Sequence, residues 1–177
     1  QADYLAAAAL TQLGEPGADR ALNSARDRLA AAAVQPSWLV AMIYEERSRL
    51  EATRGNFAAA RAEAQAGLVL IRRDSPGTRA EGHLLMALAD ARRAQGDTAG
   101  ALNDGRMAVA LFARHREAPG MPADVAASHL NALYDQWTRT QASADANEYF
   151  QTLALVWDGA AARSAAQLAA RLAAGEG

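Results

Sequence analysis

Apolar residues recur along most of this chain at spacings of three and four, the period of one face of an α-helix. Leu22, Ala25 and Leu29 show this spacing in the second periodic segment. Clusters of glycine and proline interrupt the pattern and mark helix ends. The pattern predicts nine helices, over residues 2–13, 19–34, 38–54, 57–73, 79–95, 98–116, 123–140, 144–157 and 161–174.

Two of the interruptions are short and resemble each other. The helical pattern stops at Gly55-Asn56 and resumes at Phe57, and 41 residues later it stops at Gly96-Asp97 and resumes at Thr98. Glycine ends helices because it adopts the left-handed conformation at no steric cost. A helix that restarts within two residues of such an end predicts a tight antiparallel helical hairpin.

The hairpins repeat along the chain. Ala21, Ala60, Ala101 and Ala146 occupy equivalent positions, separated by 39, 41 and 45 residues. These positions predict hairpins over residues 2–35, 37–75, 78–118 and 123–158, followed by a C-terminal helix at 160–174. One hairpin cannot bury its apolar face alone, so stacked hairpins form a superhelical solenoid. The prediction is therefore one all-α domain over 1–177, able to self-associate through its exposed repeat ends.

Composition supports the all-α prediction and excludes several function classes. The chain has 177 residues, of which 48 are alanine, the residue with the highest intrinsic helix propensity. A net charge of −2 argues against a nucleic-acid surface. With no cysteine, the chain has no disulfide, no thiolate metal site and no cysteine nucleophile.

The sequence also bears on the cellular location of the protein and on whether the chain is part of a longer one. No apolar run reaches the roughly 18 residues of a membrane span, so we expect no membrane partner and a cytoplasmic location. The chain begins at Gln1 rather than methionine, which indicates a fragment or a processed protein.

The repeat resembles a tetratricopeptide repeat (TPR) array, in a long-helix variant above the usual period of 34 residues. The matching features are a leucine followed by a small residue midway along the first helix, a glycine turn followed by an aromatic residue, and two small residues in the second helix. They stand at Leu88-Ala89, Gly55-Asn56-Phe57, Ala60 with Gly67, and Ala101 with Ala108. The turn at Gly96 lacks the aromatic residue, and the first and fourth repeats are degenerate. The resemblance implies a right-handed solenoid that binds a protein or peptide.

The C-terminal segment has a second resemblance. Phe150, Ala154-Leu155-Val156, Arg163 and residues 167–175 are similar to the segment that joins TPR arrays to a caspase-like CHAT protease domain in bacterial proteins. Ala154 and Trp157 depart from the glutamine and the basic residue usual there. The resemblance implies the sensor or adaptor region of a larger protease. Since a CHAT domain supplies its own catalytic histidine and cysteine, this region is not itself an enzyme.

The TPR resemblance also implies a binding surface, because the first helix of each pair lines the concave face of such arrays. Methionines offer adaptable apolar contact and charged residues offer recognition, which together suit a peptide groove. With the glycine turn as the register, the inward positions are Met42, Glu45 and Arg49 in the second repeat, His83, Met86, Asp90 and Arg93 in the third, and Ser128, Asn131, Asp135 and Thr138 in the fourth.

Other chemistry is weakly represented. His83 and His129 fall at equivalent positions and could line one groove, but no Glu-x-x-His or His-Glu-x-x-His motif occurs, so we expect no metal and no cofactor. Glu45 and Glu46 point about 100° apart on a helix and cannot both face one substrate. A ligand-sensing TPR domain of a transcription regulator and a helical-bundle metal protein remain as alternatives.

Two structural expectations complete the sequence-based predictions. Asp90 and Arg93, three residues apart, predict a surface ion pair. The large aromatic residues are expected to fill the core between repeats rather than to contact a ligand. These are Trp38, Tyr134, Trp137, Tyr149 and Phe150.

Overall fold

The computed structural model describes residues 2–13, 17–32, 35–115 and 121–173, and all regular structure in these ranges is helical. The all-α prediction is confirmed. The helices are α1 (Ala2–Leu13), α2 (Ala18–Ala30), α3 (Ser37–Thr53), α4 (Phe57–Asp74), α5 (Arg79–Ala94), α6 (Thr98–Arg114), α7 (Ala123–Thr140) and α8 (Ser143–Ala173). The predicted breaks at residues 14–16 and 118–120 lie outside the described residues.

The prediction of nine helices is wrong at the C-terminal end. Helix α8 continues through Asp158 and Gly159 as one helix of 31 residues, so the predicted helices at 144–157 and 161–174 are a single element. A glycine inside a helix costs about 1 kcal/mol relative to alanine, and it ends the helix only where it turns left-handed. The surrounding alanines have the propensity to offset that cost. Helix α2 also ends earlier than predicted, at Ala30.

The two glycine turns have the predicted form and share one geometry. Gly55 and Gly96 have φ values of 79° and 84°. After α3, Asn56 N–H donates to Glu51 O at 2.9 Å and Gly55 N–H donates to Ala52 O at 3.0 Å. The same two hydrogen bonds recur after α5, at 2.9 Å each. This is the Schellman arrangement, which satisfies the last carbonyls of a helix and redirects the chain.

Consecutive helices pack against each other, and the odd-numbered helices also form a continuous row. Contacts join α1 to α3, α3 to α5, and α5 to α7. Small residues permit close approach: a Cβ added to Gly67 of α4 would lie 2.7 Å from Leu84 Cδ2 and 2.8 Å from Tyr44 Cβ. The small positions Ala60, Gly67, Ala101 and Ala108 are all buried.

The main hydrophobic core is formed by side chains of α3 to α8 and contains Leu84, Leu85, Ile71 and Phe112. Within the described residues, no helix is long and apolar enough to cross a membrane.

The aromatic residues do not fill the core as expected. Trp38, Tyr134 and Phe150 are 45%, 54% and 68% exposed, and Trp137 and Tyr149 are partly buried. Four of them, together with Leu133 and Ala146, line an apolar pocket of about 300 Å³ between α7 and α8. This face between α7 and α8 is therefore accessible in the described part of the chain.

Candidate binding groove

A groove of about 520 Å³ lies along the row of odd-numbered helices. Each of these helices contributes side chains to it, so its lining is assembled from residues far apart in the sequence. The lining residues are Thr11 of α1, Glu45, Arg49 and Thr53 of α3, His83, Met86, Ala87 and Asp90 of α5, and Asp124 and Val125 of α7. Five of the eleven positions predicted to face inward are therefore brought together in one groove.

The other six predicted positions do not line the groove. Met42 packs against a small apolar cluster that includes Tyr4 and Ile43. Arg93 is partly buried elsewhere on α5, and every position predicted on α7 lies away from the groove. Ser128 is buried, whereas Asn131, Asp135 and Thr138 are exposed. The reason is geometric: α7 reaches the groove with its first turn, so positions transferred from the middle of α5 point elsewhere.

Five lining residues were missed by the sequence-based prediction. Ala87 and Thr53 adjoin predicted positions on α5 and α3, and a wider inward stripe would have included them. Thr11 belongs to the predicted first repeat, which is degenerate, so no inward-facing positions could be assigned in it. Asp124 and Val125 lie immediately after the proline-rich break, and no sequence signal indicated that the start of α7 would face the groove.

At the floor of the groove the buried carboxylate of Glu45 is joined through one guanidinium to that of Glu46, which is buried next to the groove and does not line it. Glu45 and Glu46 are only 3% and 2% exposed. Arg49 Nη2 donates to Glu45 Oε1 at 3.0 Å, and Arg49 Nη1 donates to Glu46 Oε1 at 3.2 Å. The two side chains leave the helix in different directions, yet the planar fork of an arginine spans both. This contact lies within α3, and of the two glutamates only Glu45 lines the groove, so the prediction that both cannot face one substrate is not contradicted.

His83 of α5 completes this cluster. Its Nδ1 lies 3.2 Å from Glu45 Oε1, and its ring packs edge-on against Phe112 with centroids 5.2 Å apart. One oxygen of Glu45 thus meets both Arg49 and His83. The second oxygen, Oε2, is buried and has no hydrogen-bond partner among the described residues, and the same holds for Glu46 Oε2. Buried polar atoms of native proteins are rarely left in this condition.

Burial perturbs the ionisation of this cluster. The pKa of Glu46 is raised from 4.5 to about 7, chiefly because its carboxyl is withdrawn from water. Arg49 opposes this rise, whereas the carboxylates of Glu45 and Asp124 add to it. Burial and the same glutamates also raise the pKa of Tyr4. Burial beside the groove therefore makes the ionised form of Glu46 costly.

The rim of the groove carries two more carboxylates, both exposed. Asp90 of α5 and Asp124 of α7 make no hydrogen bond or ion pair with any described residue. The predicted ion pair between Asp90 and Arg93 is not formed. The groove lining thus contains three carboxyl groups and one guanidinium, that of Arg49. The carboxyl groups belong to Glu45, Asp90 and Asp124.

The two equivalent histidines do not share the groove. His129 is 1% exposed and lies beside Gly105 of α6, with its Nε2 3.4 Å from Glu148 Oε1 of α8. The prediction that it would line the same surface as His83 is wrong. Across the described ranges, no group of three or more histidine, aspartate or glutamate side chains could hold a metal ion.

Comparisons with protein-family models, with curated proteins and with solved structures found no match to this chain. The geometry of the groove is therefore the basis for a functional proposal. The groove presents acidic groups next to apolar side chains that are partly or largely buried. All of these side chains lie on helices.

Proposed function

We propose that this chain is a protein- or peptide-binding module, built as a right-handed TPR-type solenoid of four hairpins, and that its partner lies in the groove. The observation that carries the proposal is one continuous groove lined by the first helix of each predicted hairpin. A surface assembled in this way recognises an extended ligand, because each helix contributes a separate set of contacts along it.

The size and chemistry of the groove support a binding role. Its volume of about 520 Å³ falls within the range of ligand sites, roughly 300–1,000 Å³. Ala87, with the largely buried Met86 beside it, provides apolar contact, and Asp90 and Asp124 provide charge. These groups lie on helices held by the main core, so the site is largely formed before a ligand arrives, which limits the entropy lost on binding.

Selection from a displayed library of random peptides tests this proposal. Peptides retained by the immobilised protein should lose binding when a large side chain fills the groove, as in Thr53→Trp or Ala87→Trp. Thr53 is exposed, so its substitution should leave the fold intact, which circular dichroism would verify. Ala66→Trp, at an exposed position of α4, is the matched control. Failure to select any peptide, or equal binding to all three variants, would rule out the groove as a peptide site.

The setting of this module is a further part of the proposal. Attached to a CHAT protease domain, the groove would act as a sensor or adaptor whose occupancy controls the protease. Attached to a DNA-binding domain, it would serve as the ligand-sensing part of a transcription regulator. The full reading frame distinguishes these settings, since the first requires a histidine- and cysteine-bearing domain and the second a DNA-binding domain in the same chain.

A further inference from the structure

Three carboxylates from three helices face the groove. Glu45 lies on α3, Asp90 on α5 and Asp124 on α7. Each belongs to a different hairpin, so their convergence is a product of the fold rather than of local sequence. Carboxylates placed around one cavity repel each other and favour a cation between them.

The lining itself does not neutralise this charge. Arg49 is the one guanidinium among the described lining residues, and its two terminal nitrogens are already bonded to Glu45 and Glu46. Asp90 and Asp124 make no hydrogen bond or ion pair in the described part of the chain, and Asp124 interacts with Arg49 only through longer-range attraction. The lining contains three carboxyl groups, one guanidinium and the imidazole of His83.

The floor provides an independent sign of an incomplete site. Glu45 is 3% exposed and borders the groove, and its Oε2 atom has no hydrogen-bond donor. An unsatisfied buried acceptor costs about 1–3 kcal/mol, and more when it is charged. Oε2 has almost no accessible surface, so an N–H donor of a ligand reaches it only when the floor rearranges on binding.

The walls of the groove suit the stem of a long basic side chain. Ala87 is partly exposed in the groove lining, and Met86 and Val125, both largely buried, complete its apolar part. Arginine and lysine bury their methylene stems against such surface while their charged ends reach polar groups. Arginine has five N–H donors in a planar fork, so it can engage carboxylates on more than one helix at once, whereas lysine acts as a point charge.

We infer that the ligand of the groove is a peptide segment whose arginine side chain enters it and pairs with Glu45, Asp90 and Asp124. This inference rests on the proposed function, because it specifies the occupant of the same groove. An arginine-binding groove differs from a general apolar peptide groove in what it recognises. Its ligand is recognised through a guanidinium and not through the peptide backbone.

Fluorescently labelled nonapeptide pools with blocked termini provide the test. One pool has a central arginine with randomised flanks, and the others have citrulline, lysine or glutamate at the centre. Citrulline keeps the shape of arginine and removes the charge. Retention on the immobilised protein at low salt should favour arginine over citrulline by roughly tenfold or more, as expected for charge-assisted hydrogen bonds. Lysine should fall between them.

The charge partners are tested with two double variants. Asp90→Asn with Asp124→Asn should bring the ratio of arginine to citrulline retention close to one. Asp27→Asn with Asp74→Asn removes the same number of charges from exposed ion pairs with neighbouring arginines, and it should retain the preference. All four positions are accessible, so thermal melts should show folded proteins.

Several results would overturn the inference. Equal retention of arginine and citrulline pools by the unaltered protein would contradict it, as would an unchanged ratio in the groove double variant. Preference for lysine over arginine would overturn the guanidinium assignment. If Thr53→Trp abolishes the binding of selected peptides that show no arginine preference, the groove remains a peptide site and only this inference fails. Absence of any peptide binding contradicts both.

Discussion

Glu46, which is buried beside the groove and bonded to Arg49, offers a direct measurement of the cost of burying a carboxylate there. The change Glu46→Gln replaces a buried carboxyl by a neutral amide of nearly the same shape. Below pH 4.5 both side chains are uncharged, so the two proteins should have similar stability. At higher pH only the unaltered protein carries a buried charge at this position, and the variant should become the more stable of the two.

The magnitude follows from the difference in pKa between folded and unfolded chains. Burial raises the pKa of Glu46 from 4.5 to about 7. Between these values the folded state holds a proton that the unfolded state has released, so stability falls as pH rises. The protonated form contributes fully below pH 4.5, and its contribution is lost by the time pH passes 7. At 1.36 kcal/mol per pH unit the loss is about 3 kcal/mol.

Urea denaturation at intervals between pH 4 and pH 9 measures this effect. The free energy of unfolding of Glu46→Gln minus that of the unaltered protein should rise by about 3 kcal/mol across the range. Taking the difference cancels the titration of groups common to both proteins. A flat difference for Glu46→Gln would refute the reasoning, because it would mean that Arg49 fully compensates the buried charge.

Three further substitutions test the packing and the helix ends, each by urea denaturation. Gly105→Ala should destabilise by about 2 kcal/mol, because the added methyl group would lie 2.7 Å from Cγ of the buried His129 ring, and this overlap outweighs the gain in helix propensity. Asp97→Ala should cost about 1 kcal/mol, because the Asp97 side chain accepts from Gly100 N–H at 2.9 Å as the N-cap of α6. Ser48→Ala should also cost about 1 kcal/mol, because its buried hydroxyl donates at 2.8 Å to a carbonyl in the first turn of α4.

Matched variants distinguish these causes from general damage. Gly82→Ala places a methyl group 3.1 Å from the ring of Phe112, so it should be better tolerated than Gly105→Ala. Equal losses at the two glycines would contradict the overlap argument. Asp97→Asn should retain most of the capping stability, since asparagine also caps well. If asparagine and alanine are equally destabilising there, the charge of Asp97 and not its cap hydrogen bond is responsible.

Most of the helices could be predicted from the sequence because their ends are local events. Gly55 and Gly96 adopt positive φ, and the helices stop there as the pattern indicates. The break predicted at Gly159 failed because the same residue type does not end a helix when its neighbours favour continuation. The exposed aromatic residues of α7 and α8 were misassigned for another reason. Burial depends on which element covers a face, and that information is not local.

The groove was predictable only where the repeat register held. Positions on α3 and α5 were transferred between two hairpins closed by equivalent turns, and five of the seven predicted there line the groove. The transfer failed on α7, where the spacing from the preceding repeat increases from 41 to 45 residues. The contact of Arg49 with both Glu45 and Glu46 could not be predicted from the sequence. Side-chain geometry, and not sequence spacing, decides whether one guanidinium bonds to two adjacent glutamates.

The identical turns after α3 and α5 make the chain modular. Removal of residues 56–96 would join Gly55 directly to Asp97, and the Asp97 N–H would take the place of the Asn56 N–H in donating to Glu51 O. The splice therefore requires no new loop, and α6 would follow α3 as α4 does now. Duplication of the same segment would lengthen the array by one hairpin in the same way. Recombination at this turn could thus change the length of the groove in whole units while each junction keeps its hydrogen bonds.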